Sequence, residues 1–231
     1  MVDQDQQPAI ELRGLTRRFG ERAALNNVTV QVPTGTTLAV LGRNGAGKST
    51  LLRILATLLR PHGGEVSVLG ERLPQRAHVV RSRVGLLGHE PLLYRDLSGR
   101  ENLHYHAQLH CVAPERVERL IEAVGMGKRA DDPVRALSRG MVQRLAVCRA
   151  VLHEPAVLLL DEPRANLDPA AVELIEPLIG SGNGHTRVLT SHDPGPAIED
   201  ADLVLGLRDG KAAFVRPPGE VGAQQLRELY G

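Results

Sequence analysis

The chain has 231 residues, 42% hydrophobic and 24% charged, the make-up of a globular protein with a sizeable core. A formal net charge of +1 excludes a strongly basic nucleic-acid binder, though not a local basic patch, and 2% aromatics with no Trp leave little on which to stack bases. The two cysteines, Cys111 and Cys148, belong to no CxxC or Cys/His cluster, which fits reduced thiols in a cytosolic protein.

The opening MVDQDQQPAIEL is polar and acidic, unlike a secretory signal, and no apolar run approaches the roughly 20 residues of a membrane span. A protein of this kind that works at a membrane does so as a peripheral subunit. AIEL (9–12), NVTVQV (27–32) and TTLAVLG (36–42) are β-branched or apolar runs punctuated by Gly, Pro and Thr, and predict strands. Leu51, Leu52, Leu55, Leu58 and Leu59 recur at helical spacing and predict a helix over 48–59. EVSVLG (65–70) and VGLLG (84–88) predict further strands.

From about Ser98 to Leu152 the pattern turns helical. Ser98 and Glu101 form an S-x-x-E capping box, and Val117, Leu120, Ile121 and Val124 make an apolar stripe that Gly125 stops. A third helix starts near Ser138. AVLLLDEP then reads as a strand buried on both faces, and Asp168-Pro169 as the N-cap and first turn of another helix. TRVLTSH and ADLVLGL are the last core strands, and the tail from Pro217 ends in a short helix-like segment. Strands alternating with helices predict a mainly parallel α/β sheet.

The run Gly42, Arg43, Asn44, Gly45, Ala46, Gly47, Lys48, Ser49 and Thr50 follows a predicted strand and opens a predicted helix, so it fits G-x-x-x-x-G-K-[ST] in the required context. Its glycines let backbone N–H groups turn inward around phosphate oxygens. Lys48 can reach the β- and γ-phosphates, and Ser49 can offer its hydroxyl to Mg²⁺. Asp161 and Glu162 end the apolar strand. An Asp there is placed to hold Mg²⁺ through its water shell, and a Glu one step on can polarise an attacking water. Alone, that pair is equally a polar strand end; with the phosphate loop it completes a nucleotide-hydrolysis set. His192, after the next apolar run, reaches the same rim if its strand lies beside that of Asp161. On its own it reads more readily as structural.

In the order phosphate loop, helical insert, LSRGM, LLLDEP, NLD and SHD, the chain resembles the ATP-binding subunit of an ABC transporter from about Ile10 to Val215. The resemblance implies a P-loop NTPase (RecA-like) α/β core with an N-terminal antiparallel β subdomain and an inserted α-helical subdomain. It makes the chain one ABC ATP-binding domain, with core at about 1–88 and 153–231 and the helical signature subdomain at about 89–152. It implies ATP and Mg²⁺ as ligands, ATP hydrolysis with Lys48, Glu162 and His192 in catalytic roles, and Ser49 and Asp161 at the metal. Ser138 and Gly140 match the signature that caps the γ-phosphate bound to the opposite subunit. The active unit is then a head-to-tail dimer, homodimeric or with a paired ABC subunit, and Asp168 lies in the loop crossing its interface. His192 matches the switch histidine, and Phe19 the aromatic that stacks on adenine. Integral membrane subunits are the implied partners, on the cytoplasmic face of the membrane, with no nucleic acid.

Two departures from the family pattern stand out. The usual loop Gln that meets Mg²⁺ and the attacking water falls at His89, with Glu90 beside it, and His89 fits either a metal or water ligand or a plain hinge residue. The signature carries Arg139 and Met141 where LSGGQ has Gly and Gln, a form similar to one met among exporter ATPases; Arg139 can add a cation near the phosphates. LGHEP further resembles the GHxP run of the haem-exporter ATP-binding subunit of cytochrome c maturation, and the short stretch after Val215 fits that branch. Export of a drug, lipid or polysaccharide, a soluble ABC ATPase and a non-hydrolysing regulator are the alternatives.

Overall fold

A computed structural model describes residues 7–165 and 167–231. The polar N-terminal reading over residues 1–6 and Asn166 of the NLD run lie outside the described residues. In chain order the elements are β1 (Ile10–Phe19), β2 (Arg22–Val32), β3 (Thr37–Leu41), α1 (Lys48–Leu55), β4 (Gly63–Val68), β5 (Glu71–Leu73), α2 (Ala77–Arg81) and β6 (Val84–Leu87). Three helices follow, α3 (Gly99–Leu109), α4 (Pro114–Ala123) and α5 (Arg139–Val151). The chain then returns to β7 (Val157–Asp161), α6 (Pro169–Ile179), β8 (Thr186–Thr190), α7 (Pro194–Glu199), β9 (Leu203–Arg208), β10 (Lys211–Arg216) and α8 (Ala223–Tyr230).

Two sheets form. One has four antiparallel strands in the order β2-β1-β4-β5; the other has six in the order β10-β9-β3-β8-β7-β6. In the six-stranded sheet every pairing from β9 to β6 is parallel, and only β10 runs antiparallel, against β9. This is the expected α/β core with an N-terminal antiparallel sheet. Parallel central strands need cover on both faces, and the residues supply it alternately. Leu38 and Val40 of β3, with Val157 and Leu159 of β7, face a core shared with α1 and the antiparallel sheet. Ala39 and Leu41, with Leu158 and Leu160, face a second core shared with α3, α4 and α5.

The capping box forms as expected: the Ser98 hydroxyl accepts from Glu101 N–H at 3.2 Å, and the Glu101 carboxylate accepts from Ser98 N–H at 2.7 Å. Val117, Leu120, Ile121 and Val124 are buried, and Gly125 ends that segment in the left-handed region at φ +64°. Asp168 caps α6 through Ala171 N–H at 2.8 Å. The helix expected over 48–59 stops four residues early, at Leu55. Thr57 turns to φ +62°, the N–H groups of Leu58 and Leu59 both fold back onto Arg53 O, and Leu58 is left exposed. A leucine at helical spacing is therefore not always a helical leucine. Among the described residues no helix is long and apolar enough to cross a membrane.

Candidate functional site

The phosphate-loop sequence lies between the carboxyl end of β3 and the start of α1, in the middle of the parallel sheet. Two of its glycines are required by close backbone contact. Gly42, at φ +147°, would place a Cβ 2.2 Å from Leu207 O, and Gly47, at φ +110°, would place one 2.4 Å from Ala24 O. Lys48 is 7% exposed, and its Nζ donates to Gly42 O at 2.6 Å and Arg43 O at 3.2 Å, so the ammonium closes the loop on itself. Burial pushes this ammonium below the usual lysine range, while the Glu162 and Asp161 carboxylates pull it back up. A buried cation held by two backbone carbonyls is chemically suited to an oligophosphate, which replaces the two carbonyl dipoles by full negative charge.

One cavity is lined by Phe19, Arg22, Asn44, Gly45, Gly47, Lys48, Ser49, Thr50, Asp161 and Glu162. An adjoining cavity brings Ser49 and Asp161 together with His89 and Glu90. Hard oxygen donors at Ser49 and Asp161 fit a Mg²⁺ ion that keeps part of its water shell. Parallel pairing places Asp161 beside Thr190, and the Thr190 hydroxyl donates to Asp161 Oδ1 at 2.6 Å. Glu162 leaves the strand in the left-handed region, φ +52°, which costs a residue with a Cβ about 1 kcal/mol or more. Its carboxylate Oε2 lies 3.4 Å from His192 Nδ1, and the imidazole is 72% exposed. His192 thus meets the expected rim through Glu162.

Phe19 sits at the end of β1, where Phe19 pairs with Arg22 around a two-residue turn. The ring is 49% exposed and lines the phosphate-loop cavity, with the Arg17 guanidinium 4.8 Å from its centroid. Arg43 points elsewhere: its guanidinium donates to Gly231 O at 3.2 Å, and neither it nor Gly42 nor Ala46 lines the phosphate-loop cavity. Ser138 and Gly140 are also outside that cavity. Ser138 caps α5 by accepting from Met141 N–H at 3.3 Å, and both it and Arg139 are exposed.

Several residues here were not singled out from sequence. Thr190 bridges the two carboxylate positions. Arg22 donates to Gly45 O at 3.3 Å, Tyr230 of α8 accepts from Gly42 N–H at 3.3 Å, and Gln143 of α5 donates to Pro163 O at 3.3 Å, next to Glu162. A Thr at a strand end two residues before His192 was a readable signal; the other three depend on tertiary approach.

The model of the family described as ABC transporter matches residues 25–165. The daunorubicin resistance ATP-binding protein DrrA3 of Streptomyces coeruleorubidus is 38% identical, over 94% of this chain and 70% of its own length. The phosphonates import ATP-binding protein PhnC of Anaeromyxobacter dehalogenans is 34% identical, over 96% of this chain and 48% of its own. A solved dimeric structure of a bacterial ABC transporter cassette superposes with a TM-score of 0.81 at 26% identity, over 90% of this chain and 98% of that one. Phosphate loop, paired carboxylates, strand order and these matches agree: the chain belongs to the ABC transporter family, as an ATP-binding domain of it.

Proposed function

We propose that the chain is the ATP-hydrolysing subunit of an export-type ABC transporter, working as a head-to-tail dimer on the cytoplasmic face of a membrane beneath separate membrane-spanning subunits. In this reading it is a single ATP-binding domain, with residues 89–152 as its helical signature part. The observation that carries it is the shared cavity in which Lys48, Ser49, Asp161 and Glu162 meet. The exposed Ser138 and Arg139, with half-buried Gly140 beside them, support the dimer, since they open α5 outside that cavity, where they could cap a phosphate held by a second chain. Relatives named for Nod factor export are matched over 71–76% of their length, against 48% for one named for import, which supports export.

On this reading Lys48 leaves the Gly42 and Arg43 carbonyls for the β- and γ-phosphates, and the loop amides take the remaining oxygens. Phe19 stacks on adenine. Ser49 and Asp161 would hold Mg²⁺, which would neutralise charge on the phosphates, and His89 lines the adjoining cavity with them. Glu162 accepts a proton as water attacks the γ-phosphorus, the bond to the β–γ bridging oxygen breaks and ADP leaves with that oxygen, while His192 orients the Glu162 carboxylate. Nucleotide closes the dimer and phosphate release reopens it.

Phosphate release by the purified chain tests this directly. Wild type is expected to turn over MgATP, and Lys48→Ala to lose at least about a hundredfold, since one charged phosphate contact is removed in the transition state. Equal turnover in both would contradict the assignment. The haem-export reading rests mainly on the LGHEP run at residues 87–91. Membrane partners pulled down with this chain from native membranes decide the cargo: co-purified haem supports haem export, and another small molecule overturns it.

A further inference from the structure

Thr190 carries a role that neither the phosphate-loop nor the carboxylate motif assigns to it. It is fully buried at the carboxyl end of β8, between β3 and β7, paired in register with Val40 on one side and Asp161 on the other. Its hydroxyl donates to Asp161 Oδ1 at 2.6 Å, within the range of charge-assisted O–H···O⁻ bonds. The same oxygen accepts from Glu162 N–H at 3.2 Å, and Thr190 O accepts from that N–H at the same distance. A hydroxyl has one proton to give and two lone pairs to offer. The short bond to a carboxylate, which has no proton to donate when ionised, fixes the direction of the whole chain: Glu162 N–H to Thr190 Oγ, and Thr190 O–H to Asp161.

We propose that Thr190 is a positioning residue that sets both carboxylates of the site through one hydroxyl. It satisfies Asp161 Oδ1 and so leaves Oδ2 as the oxygen directed at the cation shell. It also holds Glu162 at φ +52°, a backbone turn that β7 does not impose because the strand ends at Asp161. That turn carries the Glu162 carboxylate to within 3.4 Å of His192. Valine has nearly the shape of threonine, so Thr190→Val keeps the packing and removes only the hydroxyl. It leaves Asp161 Oδ1 without its partner and Glu162 N–H with the carbonyl alone.

The inference rests on the proposed ATPase reading, and the test separates the two. Full-length wild type, Thr190→Val and Thr190→Ser are titrated with Mg²⁺ at fixed fluorescent ATP analogue, and kcat and KM for ATP are measured in parallel. Thr190→Val is expected to need about tenfold more Mg²⁺ for half-maximal nucleotide binding, the loss of one hydrogen bond to a charged group. It is expected to lose kcat by a similar factor with KM for ATP at saturating Mg²⁺ within about twofold, and Thr190→Ser to stay within about twofold of wild type throughout. Wild-type Mg²⁺ dependence in Thr190→Val overturns the proposal. Equal impairment of Thr190→Ser and Thr190→Val overturns it too, because shape and not the hydroxyl would then matter. A wild-type chain that binds nucleotide without hydrolysing it defeats the ATPase reading, and the Mg²⁺ shift in binding still decides the role of Thr190.

Discussion

Lys48 and Gly47 show how single residues prepare the site. Lys48 is buried against two carbonyls and carries no direct ion pair to Asp161 or Glu162, so its charge is poorly compensated within the chain and gains from an incoming phosphate. Gly47 lets the loop approach Ala24 O, and any side chain there meets backbone at 2.4 Å in a left-handed conformation. Gly47→Ala is therefore expected to weaken nucleotide binding at least about tenfold, read by titration of a fluorescent ATP analogue, because the loop must move from its seat on β2. Arg139, exposed as the first residue of α5, is expected to touch phosphate across a dimer interface: Arg139→Gly should change the KM for ATP or the turnover, and unchanged kinetics would remove it from the phosphate shell. The phosphate-loop residues could be read in the sequence because their chemistry is local, a strand, a glycine turn and a helix start within about ten residues. Thr190 could not be read with the same force, because its partner Asp161 lies 29 positions away and only sheet register joins them.

At the scale of elements, the loop between β6 and α3 is tied to α5. Arg149 donates to Leu86 O at 2.5 Å and Pro91 O at 3.1 Å, bracketing the stretch that bears His89 and Glu90. Burial pushes this guanidinium down to about 10. Around it His106 and His153 are pushed down to about 4, first by burial and then by neighbouring positive groups: Arg149 and His110 at His106, and His110, Arg149 and Arg116 at His153. His110 stacks on His153 with ring centroids 4.1 Å apart. Both imidazoles take up protons in the unfolded chain near pH 6.5 but resist them when folded until about pH 4. Their contribution to stability is full above about pH 6.5, falls as the pH drops through that window, and is gone below about 4. The thermal midpoint is expected to be lower at pH 5 than at pH 7.5, and a His106→Gln, His153→Gln double variant to show less of that drop. Helices α3 to α6 could be read because caps and stripes are local signals. The strand β10 and helix α2 were missed: Lys211–Arg216 is mostly exposed on a sheet edge, and Ala77–Arg81 is barely one turn, so neither has an apolar period to betray it. β1 runs seven residues beyond the expected AIEL because its far half alternates with Arg and Thr and lacks a continuous apolar face.

At the scale of the molecule, the two groups of residues that the proposed function joins across a dimer do not meet within one chain. Phosphate loop and carboxylates share a cavity in the parallel sheet, while Ser138 and Gly140 open α5 away from it. The helix α5 nevertheless reaches the carboxylate side, since Gln143 donates to Pro163 O, next to Glu162, and Arg149 grips the His89 loop. One helix therefore links Ser138, the His89 loop and the carboxylate turn, which is the coupling that the proposed nucleotide-driven dimer needs. Sequence order alone conveyed the family, its motifs and which of them belong together, but not the contacts of Gln143 and Arg149 that tie them to α5, since those depend on the packing of α5 against the sheet.

The claim that two chains complete each other's site is tested most directly by light scattering of the Glu162→Gln variant with MgATP. Glu162 is the proposed proton acceptor, so its removal should stall hydrolysis and trap the closed state. The account predicts a species with the mass of two chains that requires nucleotide and disappears when Ser138→Arg is added. A variant that binds MgATP and stays at the mass of one chain would contradict it.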